Sequence, residues 1–551
     1  MENKEKDIQI IIAGAAGQGS KKAGHLIGKL FNSYGFRVFI HEDYESVIRG
    51  GHNFSQISVS KEECNAISDK IDFLLALNKD AVENHSRKMK EEGVLIYDSD
   101  SIKEEDLPSR ADLNIVPVSL NEIIKEAEGI DLMKNTALVS LFMKVVGMDF
   151  EKASAALKKE LPVKTEENMR VARTAFEKVD KLRELKEGGS HSLPLLAGNE
   201  AAALGAINAG LESYFAYPMT PSTGILNFLS KTKGVKTFQP ESELAVINMG
   251  LGSSYAGKRT MVGTSGGGFA LMTEGISFSA QAEIPICVAL SQRMGPATGV
   301  PTYQAQADLL FASSSGHGDM MRFIVAPGDA DEAYELTGKA LNISWKYQLP
   351  SIVLLDKELS ENTYGFKGES EVFKEDVVTE DKEDYERYAG ESISPLAFPG
   401  GRAMVKATGY EHDSKGIAVE DANKVKEMHE KRLRKYENLR EELKRTDTVR
   451  TCGEGDVAIV FWGSTKGVVM EATKGMGVKI VWPLVIQPFP EKKMKEVLSG
   501  TSKIICVETN ATGQLAKMLR CYGTEVEGQV LKYDGRPFTI EELKERIESL
   551  L

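Results

Sequence analysis

Ala216-Tyr217-Pro218-Met219-Thr220-Pro221-Ser222-Thr223, followed further along by Glu241-Ser242-Glu243, is the stretch around which the chain reads as organised. Pro218 and Pro221 lock their own φ and bias Tyr217 and Thr220 toward extended backbone, so the hydroxyls of Thr220, Ser222 and Thr223 stand on a stiffened loop. Such loops suit ligands. A helix-start turn is the competing reading, and the octamer alone leaves both open. Tyr214 to Ala216 reads as a strand entering the loop. Lys236 to Gln239 reads as a short strand delivering Glu243 to a helix whose Leu244, Ile247 and Leu251 share one face. For Glu243 the plain alternative is an acid in a first helical turn, where the dipole favours it by about 0.3–1 kcal/mol.

Working outward, a strand at Thr260 to Thr264 runs into Ser265-Gly266-Gly267-Gly268-Phe269, whose glycines let a ligand or another backbone approach a helix N-terminus. The next strand, Ile284 to Leu290, empties into Ser291-Gln292-Arg293-Met294-Gly295-Pro296-Ala297-Thr298-Gly299, and Arg322 to Val325 and Ser351 to Leu355 continue the series. Loops after strand C-termini are where open α/β sheets bind ligands, which favours Arg293 as a site cation; a loop-stabilising arginine stays open.

Upstream, Asp7 to Ala13 predicts a buried strand that ends in Gly14-Ala15-Ala16-Gly17-Gln18-Gly19 before a helix. The spacing is not that of the dinucleotide fingerprint and no ribose-binding acid follows, so a phosphate cradle at Gly17 and Gly19 is preferred to a nicotinamide site. Strands at 36–40, 54–59, 72–77, 94–97 and 113–118 alternate with helices, an α/β pattern. Arg49-Gly50-Gly51 offers an anion-binding guanidinium or an exposed turn arginine. Charge alternation over Glu151 to Lys186 predicts a solvated helical connector, closed by Gly188-Gly189-Ser190-His191-Ser192. Downstream, Lys367 to Gly453 is highly charged and holds one long helix, Asp421 to Lys444, expected as a solvated or partner-facing arm. Strands at 457–462, 478–482 and 503–508 close the chain as another α/β domain. The expected domains are 1–190, 191–366, 367–455 and 456–551.

The 551 residues carry 68 basic and 81 acidic side chains, net −13, with 42% hydrophobic residues, enough for several cores. With no long basic run, nucleic-acid binding is excluded as a leading reading. The amino-terminal run Met1 to Asp7 is charged and Ile8 to Ala13 is too short to span a bilayer, so a cytoplasmic protein away from membranes is expected. Cysteines 64, 287, 452, 506 and 521 are scattered and form no Cys-x-x-Cys, which argues against a metal or cluster site in this chain.

These motifs together resemble the 2-oxoacid:ferredoxin oxidoreductases, specifically the alpha subunit with a fused N-terminal gamma-type domain. Tyr217-Pro218-Met219-Thr220-Pro221-Ser222-Thr223 is similar to the family's Tyr-Pro-Ile-Thr-Pro-Ser-Ser/Thr loop, and Glu241-Ser242-Glu243 to the start of its thiamine-facing helix. Gln292 to Gly299 is similar to Gln-Arg-Gly-Gly-Pro-Ser-Thr-Gly. Gly14 to Gly19 with Arg49-Gly50-Gly51 resembles the gamma domain, Gly409-Tyr410-Glu411-His412-Asp413 the Gly-x-Glu-His-Asp segment, and Lys532 to Phe538 the usual tail.

The resemblance implies a multidomain α/β fold: a gamma-type domain, a thiamine-pyrimidine-binding domain and a transketolase-C-like domain. It implies that Thr220 and Arg293, with Tyr217 and Ser222 beside them, hold the oxoacid carboxylate. Glu243 faces the aminopyrimidine of thiamine diphosphate as the catalytic acid, near Gly266 and Gly267, and Gly17, Gly19 and Arg49 meet coenzyme A. Magnesium and a 4Fe-4S cluster are expected on a beta subunit, in a hetero-oligomer that passes electrons to ferredoxin, with 2-oxoglutarate the favoured 2-oxoacid. Met219 and Met294 depart from the family's isoleucine and glycine and leave the substrate's tail open. The competing expectations are a non-redox thiamine diphosphate enzyme subunit and a nucleotide-binding scaffold built on Gly14 to Gly19.

Overall fold

Strands, numbered in chain order, begin with β1 (Ile8–Ala16), β2 (Arg37–Asp43), β3 (Gly50–Ser60), β4 (Ile71–Ala76), β5 (Met89–Asp98) and β6 (Asn114–Val118). The computed structural model describes residues 7–47, 49–185, 188–189 and 192–551; the charged run 1–6 and, from the turn and boundary motifs, Ile48, Lys186, Glu187, Ser190 and His191 lie outside them. Contact density divides the chain into two units, the first being Met1–Leu196 with Asn362–Lys367 and Phe538–Glu545.

In the first unit β7 (Leu195–Ala197) and β14 (Thr363–Gly365) complete an eight-stranded sheet in the order β6-β5-β4-β1-β3-β2-β14-β7. β1 runs parallel to β4 and antiparallel to β3, with Ile12 opposite Leu75 and Ser55. Ile10, Ile11 and Ile12 are wholly buried, as an uninterrupted apolar strand in the middle of a sheet requires. β14 pairs with β2 through Thr363 and Ile40, and Asn362 Oδ1 accepts the Glu42 N–H at 3.1 Å.

The connector expected over Glu151 to Lys186 is corrected as far as Phe176. Helices Phe150–Glu160 and Thr165–Phe176 pack Ala153, Leu157, Val171 and Ala172 into the same core as Leu138, Leu141 and Phe142 of helix Lys134–Val145. The apolar stripe was hidden because its residues are mostly small and separated by charges at helical spacing.

The second unit contains two sheets. One joins β8 (Ser213–Ala216), β9 (Lys236–Phe238), β10 (Thr260–Thr264), β11 (Ile286–Gln292), β12 (Phe323–Val325), β13 (Pro350–Asp356) and, antiparallel at its edge, β18 (Val485–Gln487), in the order β18-β12-β13-β11-β10-β8-β9. The other orders β15 (Val449–Cys452), β17 (Lys479–Pro483), β16 (Val457–Val460), β19 (Lys503–Glu508) and β20 (Gly528–Leu531). One core runs from Val262, Ile286 and Ile352 to Val460, Trp462 and Val481. Among the described residues no helix is long and apolar enough to cross a membrane, and none of the five cysteines is in a disulfide.

Helix Ala422–Leu443 is not the solvated arm its composition suggests, because one face is buried at Met428, Lys431, Lys435, Tyr436, Leu439 and Leu443. Lys431 Nζ donates to both oxygens of Glu283, at 2.7 and 2.8 Å, and Lys435 Nζ donates to Glu283 Oε2 and, at 3.2 Å, to the Gln348 carbonyl. Burial opposes ionisation of Glu283, yet the two ammoniums hold its carboxyl far below the ordinary glutamate value, while burial draws Lys435 down to about 8. Removing the shared carboxylate strands two buried ammoniums. Glu283→Gln is therefore expected to cost about 3–5 kcal/mol, read from denaturant or thermal unfolding. Because the folded pKa of Glu283 is depressed, its contribution is complete above the unfolded value of about 4.5 and is withdrawn as pH falls below it. Acid unfolding curves for Glu283→Gln should accordingly be flatter below that pH than for the wild type.

Candidate active site

Four neighbouring parallel strands, ordered β11-β10-β8-β9, release their loops at one edge of the second unit's larger sheet. That register decides which side chains meet. β8 leads into Tyr217–Ser222, β9 into Ser242 and Glu243, β10 into Ser265–Gly268, and β11 ends at Gln292 immediately before Arg293.

The loop after β8 is fastened to its surroundings. Ser222 donates through both N–H and Oγ to the Met219 carbonyl at 2.8 Å, and Asn199 Nδ2 donates to the Pro221 carbonyl at 2.8 Å. Ser222, 1% exposed, thus spends its hydroxyl within the loop, whereas Tyr217 is 41% exposed. Arg293 Nη1 donates to the Thr220 backbone carbonyl at 2.8 Å, which leaves the Thr220 hydroxyl out of that contact. Half-burial lowers the Arg293 pKa, and the negative charge of Glu243 acts in the opposite sense, so these two groups share one electrostatic neighbourhood.

Glu243 opens helix Glu243–Tyr255 behind the N-cap Ser242, whose side chain accepts the Ala245 N–H at 3.4 Å. The carboxyl is 4% exposed, and its Oε1 is buried with no hydrogen-bond partner. Glycine makes this placement possible: a Cβ on Gly268 would stand 2.5 Å from Glu243 Oε1 and 2.2 Å from Thr264 Oγ1. Gly267, one residue earlier in helix Gly266–Ala282, faces open space. The N-cap Ser265 leaves its own Oγ buried and unpartnered. A buried carboxylate oxygen and hydroxyl without partners, beside a bare helix N-terminus, match a ligand that brings N–H donors and an anionic or polar edge.

Asp308 also reaches this helix turn, which the sequence did not signal. A Cβ on Gly266 would lie 2.5 Å from Asp308 Oδ2, and burial alone raises that carboxyl to about 6. An aspartate before Leu309-Leu310-Phe311 reads as an ordinary helix cap. Its partner Gln292, whose Oε1 accepts the Asp308 N–H at 2.9 Å, was the available clue.

Gly17, Gly19 and Arg49 belong to the first unit. Gly17 (φ 95°) has no atom near its missing side chain, whereas Gly19 (φ 83°) fits tightly on Asn135. Gln18 closes the turn, accepting the Ala15 N–H at 2.6 Å and donating to the Leu77 carbonyl at 3.3 Å. Ala16 pairs with Gly50, so the exposed Arg49 stands beside the turn. Among the described residues no three His, Cys, Asp or Glu side chains are grouped to hold a metal ion.

Comparison with known proteins gives concordant matches. Residues 204–431 match the thiamine diphosphate-binding domain of pyruvate flavodoxin/ferredoxin oxidoreductase, and residues 9–178 match the pyruvate ferredoxin/flavodoxin oxidoreductase family. The alpha subunit of 2-oxoacid:ferredoxin oxidoreductase from Saccharolobus solfataricus is 29% identical, covering 99% of this chain and 98% of that protein. The alpha subunit of 2-oxoacid:ferredoxin oxidoreductase 2 from Aeropyrum pernix is 30% identical over the same shares. Among solved structures, 2-oxoglutarate:ferredoxin oxidoreductase from Magnetococcus marinus, with 2-oxoglutarate, coenzyme A and succinyl-CoA bound, superposes with a TM-score of 0.89 at 30% identity, covering 99% of this chain and 100% of that one.

The two glycines of the turn separate packing from access. Gly268→Ala should destabilise the protein by about 1–3 kcal/mol through overpacking against Glu243 and Thr264. Gly267→Ala, in open space, should be neutral or stabilising by up to about 1 kcal/mol. Thermal unfolding of the two variants side by side measures the difference.

Proposed function

Because this chain belongs to the alpha subunits of the 2-oxoacid:ferredoxin oxidoreductases, a family of oxidoreductase enzymes, we propose that it carries out thiamine diphosphate-dependent oxidative decarboxylation of a 2-oxoacid, with 2-oxoglutarate favoured. The product is the acyl-coenzyme A, and the electrons pass through iron–sulfur clusters to ferredoxin. The observation that carries this reading is the Glu243 carboxyl, buried, unpartnered at Oε1 and held between Gly268 and the field of Arg293. When bound, thiamine diphosphate supplies a carbon nucleophile and an electron sink for the carbon that loses carbon dioxide.

The chain's own residues bind and orient. Glu243 would take up and return a proton at the pyrimidine ring nitrogen of the bound cofactor, and its burial would let it do so without solvent rearrangement. Arg293 uses one N–H to fix the Thr220 loop and keeps the rest of its planar fork for the oxoacid carboxylate, with the Thr220 hydroxyl beside it. Met219, whose sulfur lies 4.0 Å from Thr264 Oγ1, and Met294 form a deformable wall toward the substrate's tail. Gly17, Gly19 and Arg49 serve a coenzyme A phosphate in this reading, and Gly17 has the space for it.

Domains 1–190, 191–366, 367–455 and 456–551 divide these tasks. A beta subunit contributes magnesium, the diphosphate half of the cofactor site and the 4Fe-4S cluster, so the active form is a hetero-oligomer; the naming of the relatives as alpha subunits supports this. Five cysteines without a disulfide are compatible with a reducing cytoplasm.

Two substitutions in the assembled enzyme test the reading. Glu243→Gln should fold and assemble yet lose hydrogen–deuterium exchange at the thiazolium carbon by at least about tenfold, since an amide cannot shuttle the proton; unchanged exchange removes Glu243 from catalysis. Arg293→Lys should lose about ten- to hundredfold in kcat/KM for 2-oxoacids, the equivalent of one charged hydrogen bond, with cofactor binding retained. Full activity toward every accepted 2-oxoacid would remove the carboxylate role.

A further inference from the structure

Gly409-Tyr410-Glu411-His412-Asp413, the segment of the second unit to which the candidate active site gives no role, borders a cavity of about 240 Å³. Gly409 lines it with the C-terminal half of helix Gly266–Ala282, residues 317–321 and one face of helix Ala422–Leu443. This cavity stands at the opposite edge of the sheet from the loops of Arg293 and Glu243. Gln348 and Leu349, on its wall, precede β13 as Glu283 precedes the parallel β11, whereas Arg293 follows β11, whose seven residues span about 23 Å.

Positive charge is in excess behind that wall. Arg387, Lys431 and Lys435 are each at most 4% exposed, and among the described residues Glu283 is the one carboxylate paired with them. Arg387 Nη2 donates to main-chain carbonyls, those of Glu283 at 2.9 Å and Ala282 at 3.4 Å. The C-termini of helices Gly266–Ala282 and Ala330–Tyr347 meet here, and at about half a negative charge each they offset about one further cation. Three cations against one carboxylate and two helix ends leave about one positive charge unmatched. Burial, opposed by Glu283, draws the Lys435 ammonium toward its neutral form, and the like charges of Lys431 and Arg387 draw it further. A surplus cation in a water-poor place is unfavourable until an anion joins it.

Two of the lining side chains have donors to spare. Arg432 pairs with Glu411 through both Nη atoms, at 3.1 and 2.6 Å, and keeps three N–H groups beyond that pair. Lys435 Nζ spends two of its three on Glu283 and the Gln348 carbonyl. His317, His429, Glu274 and Asp319 line the cavity from exposed positions, and the two acids oppose an approaching anion. We propose that this cavity binds a small oxyanion, a phosphate- or carboxylate-bearing molecule, held between the remaining fork of Arg432 and the ammonium of Lys435. It is a second ligand site, independent of the reading of Glu243 and Arg293.

The test is hydrogen–deuterium exchange of the assembled enzyme titrated with inorganic phosphate and, separately, with succinate, each against potassium chloride at equal ionic strength. Saturable slowing of amide exchange in peptides covering residues 274–281, 316–321 and 409–412 is expected with at least one of the two. Which anion acts tells a phosphate-bearing ligand from a carboxylate-bearing one. Arg432→Lys should weaken the binding by about tenfold or more, the loss of a hydrogen bond to a charged group. Glu274→Gln, at an exposed position outside the buried cluster, should tighten it by about two- to threefold by removing a like charge. No slowing beyond the chloride control, or slowing confined to other segments, overturns the proposal. So does a midpoint that Arg432→Lys leaves unchanged; if that variant does not assemble, an unchanged midpoint in Glu274→Gln overturns it.

Discussion

A carboxyl group sealed inside protein with one oxygen unpaired is a cost that the rest of the second unit is arranged to bear. An unmet hydrogen bond of this kind is unfavourable by about 1–3 kcal/mol, more for a charged group. Glu243 is kept in that condition by a capped helix start, by the absence of a side chain at Gly268 and by the counter-field of Arg293. Arg293 in turn is fixed by the Thr220 carbonyl, on a loop that Ser222 and Asn199 hold closed. Each of these contacts depends on adjacent parallel strands ending at the same edge, so the sheet order is what makes the chemistry available.

That order is the part a linear reading does not contain. Thr220, Glu243, the glycine run and Arg293 were each legible as the residue after a strand, because apolar runs and glycine punctuation mark such places. Their convergence follows from β11-β10-β8-β9, a sequence of neighbours set by packing over the whole unit. Phase along a helix was equally silent: three consecutive glycines look alike in the sequence, yet one abuts Glu243, one abuts Asp308 and one faces open space. The Ser222 hydroxyl, expected toward the ligand, is taken by the carbonyl three residues back.

Charge was the least faithful guide. The alternation over Phe150–Phe176 concealed a stripe of small apolar residues, and that over Asp421–Lys444 concealed two lysines committed to a buried glutamate. In both places the composition is that of a solvated helix, and only partners distant in sequence turn one face inward. Short strands failed for another reason: β14 and β18 span three residues each, too few to show any period. The buried β1, by contrast, was visible at once as an uninterrupted run.

The return of β14 into the first unit has a bearing on how the chain is made. β2 pairs with β14 on one side, and β14 is synthesised only after the entire segment Ala197–Glu361. At about 5–20 residues per second that interval is on the order of ten seconds or more. Throughout it the first unit stands beside the ribosome with a row of unpaired backbone N–H and C=O groups along β2, a template for any extended chain nearby. Vectorial synthesis therefore leaves this edge of β2 open until Thr363, which pairs with Ile40, has been made.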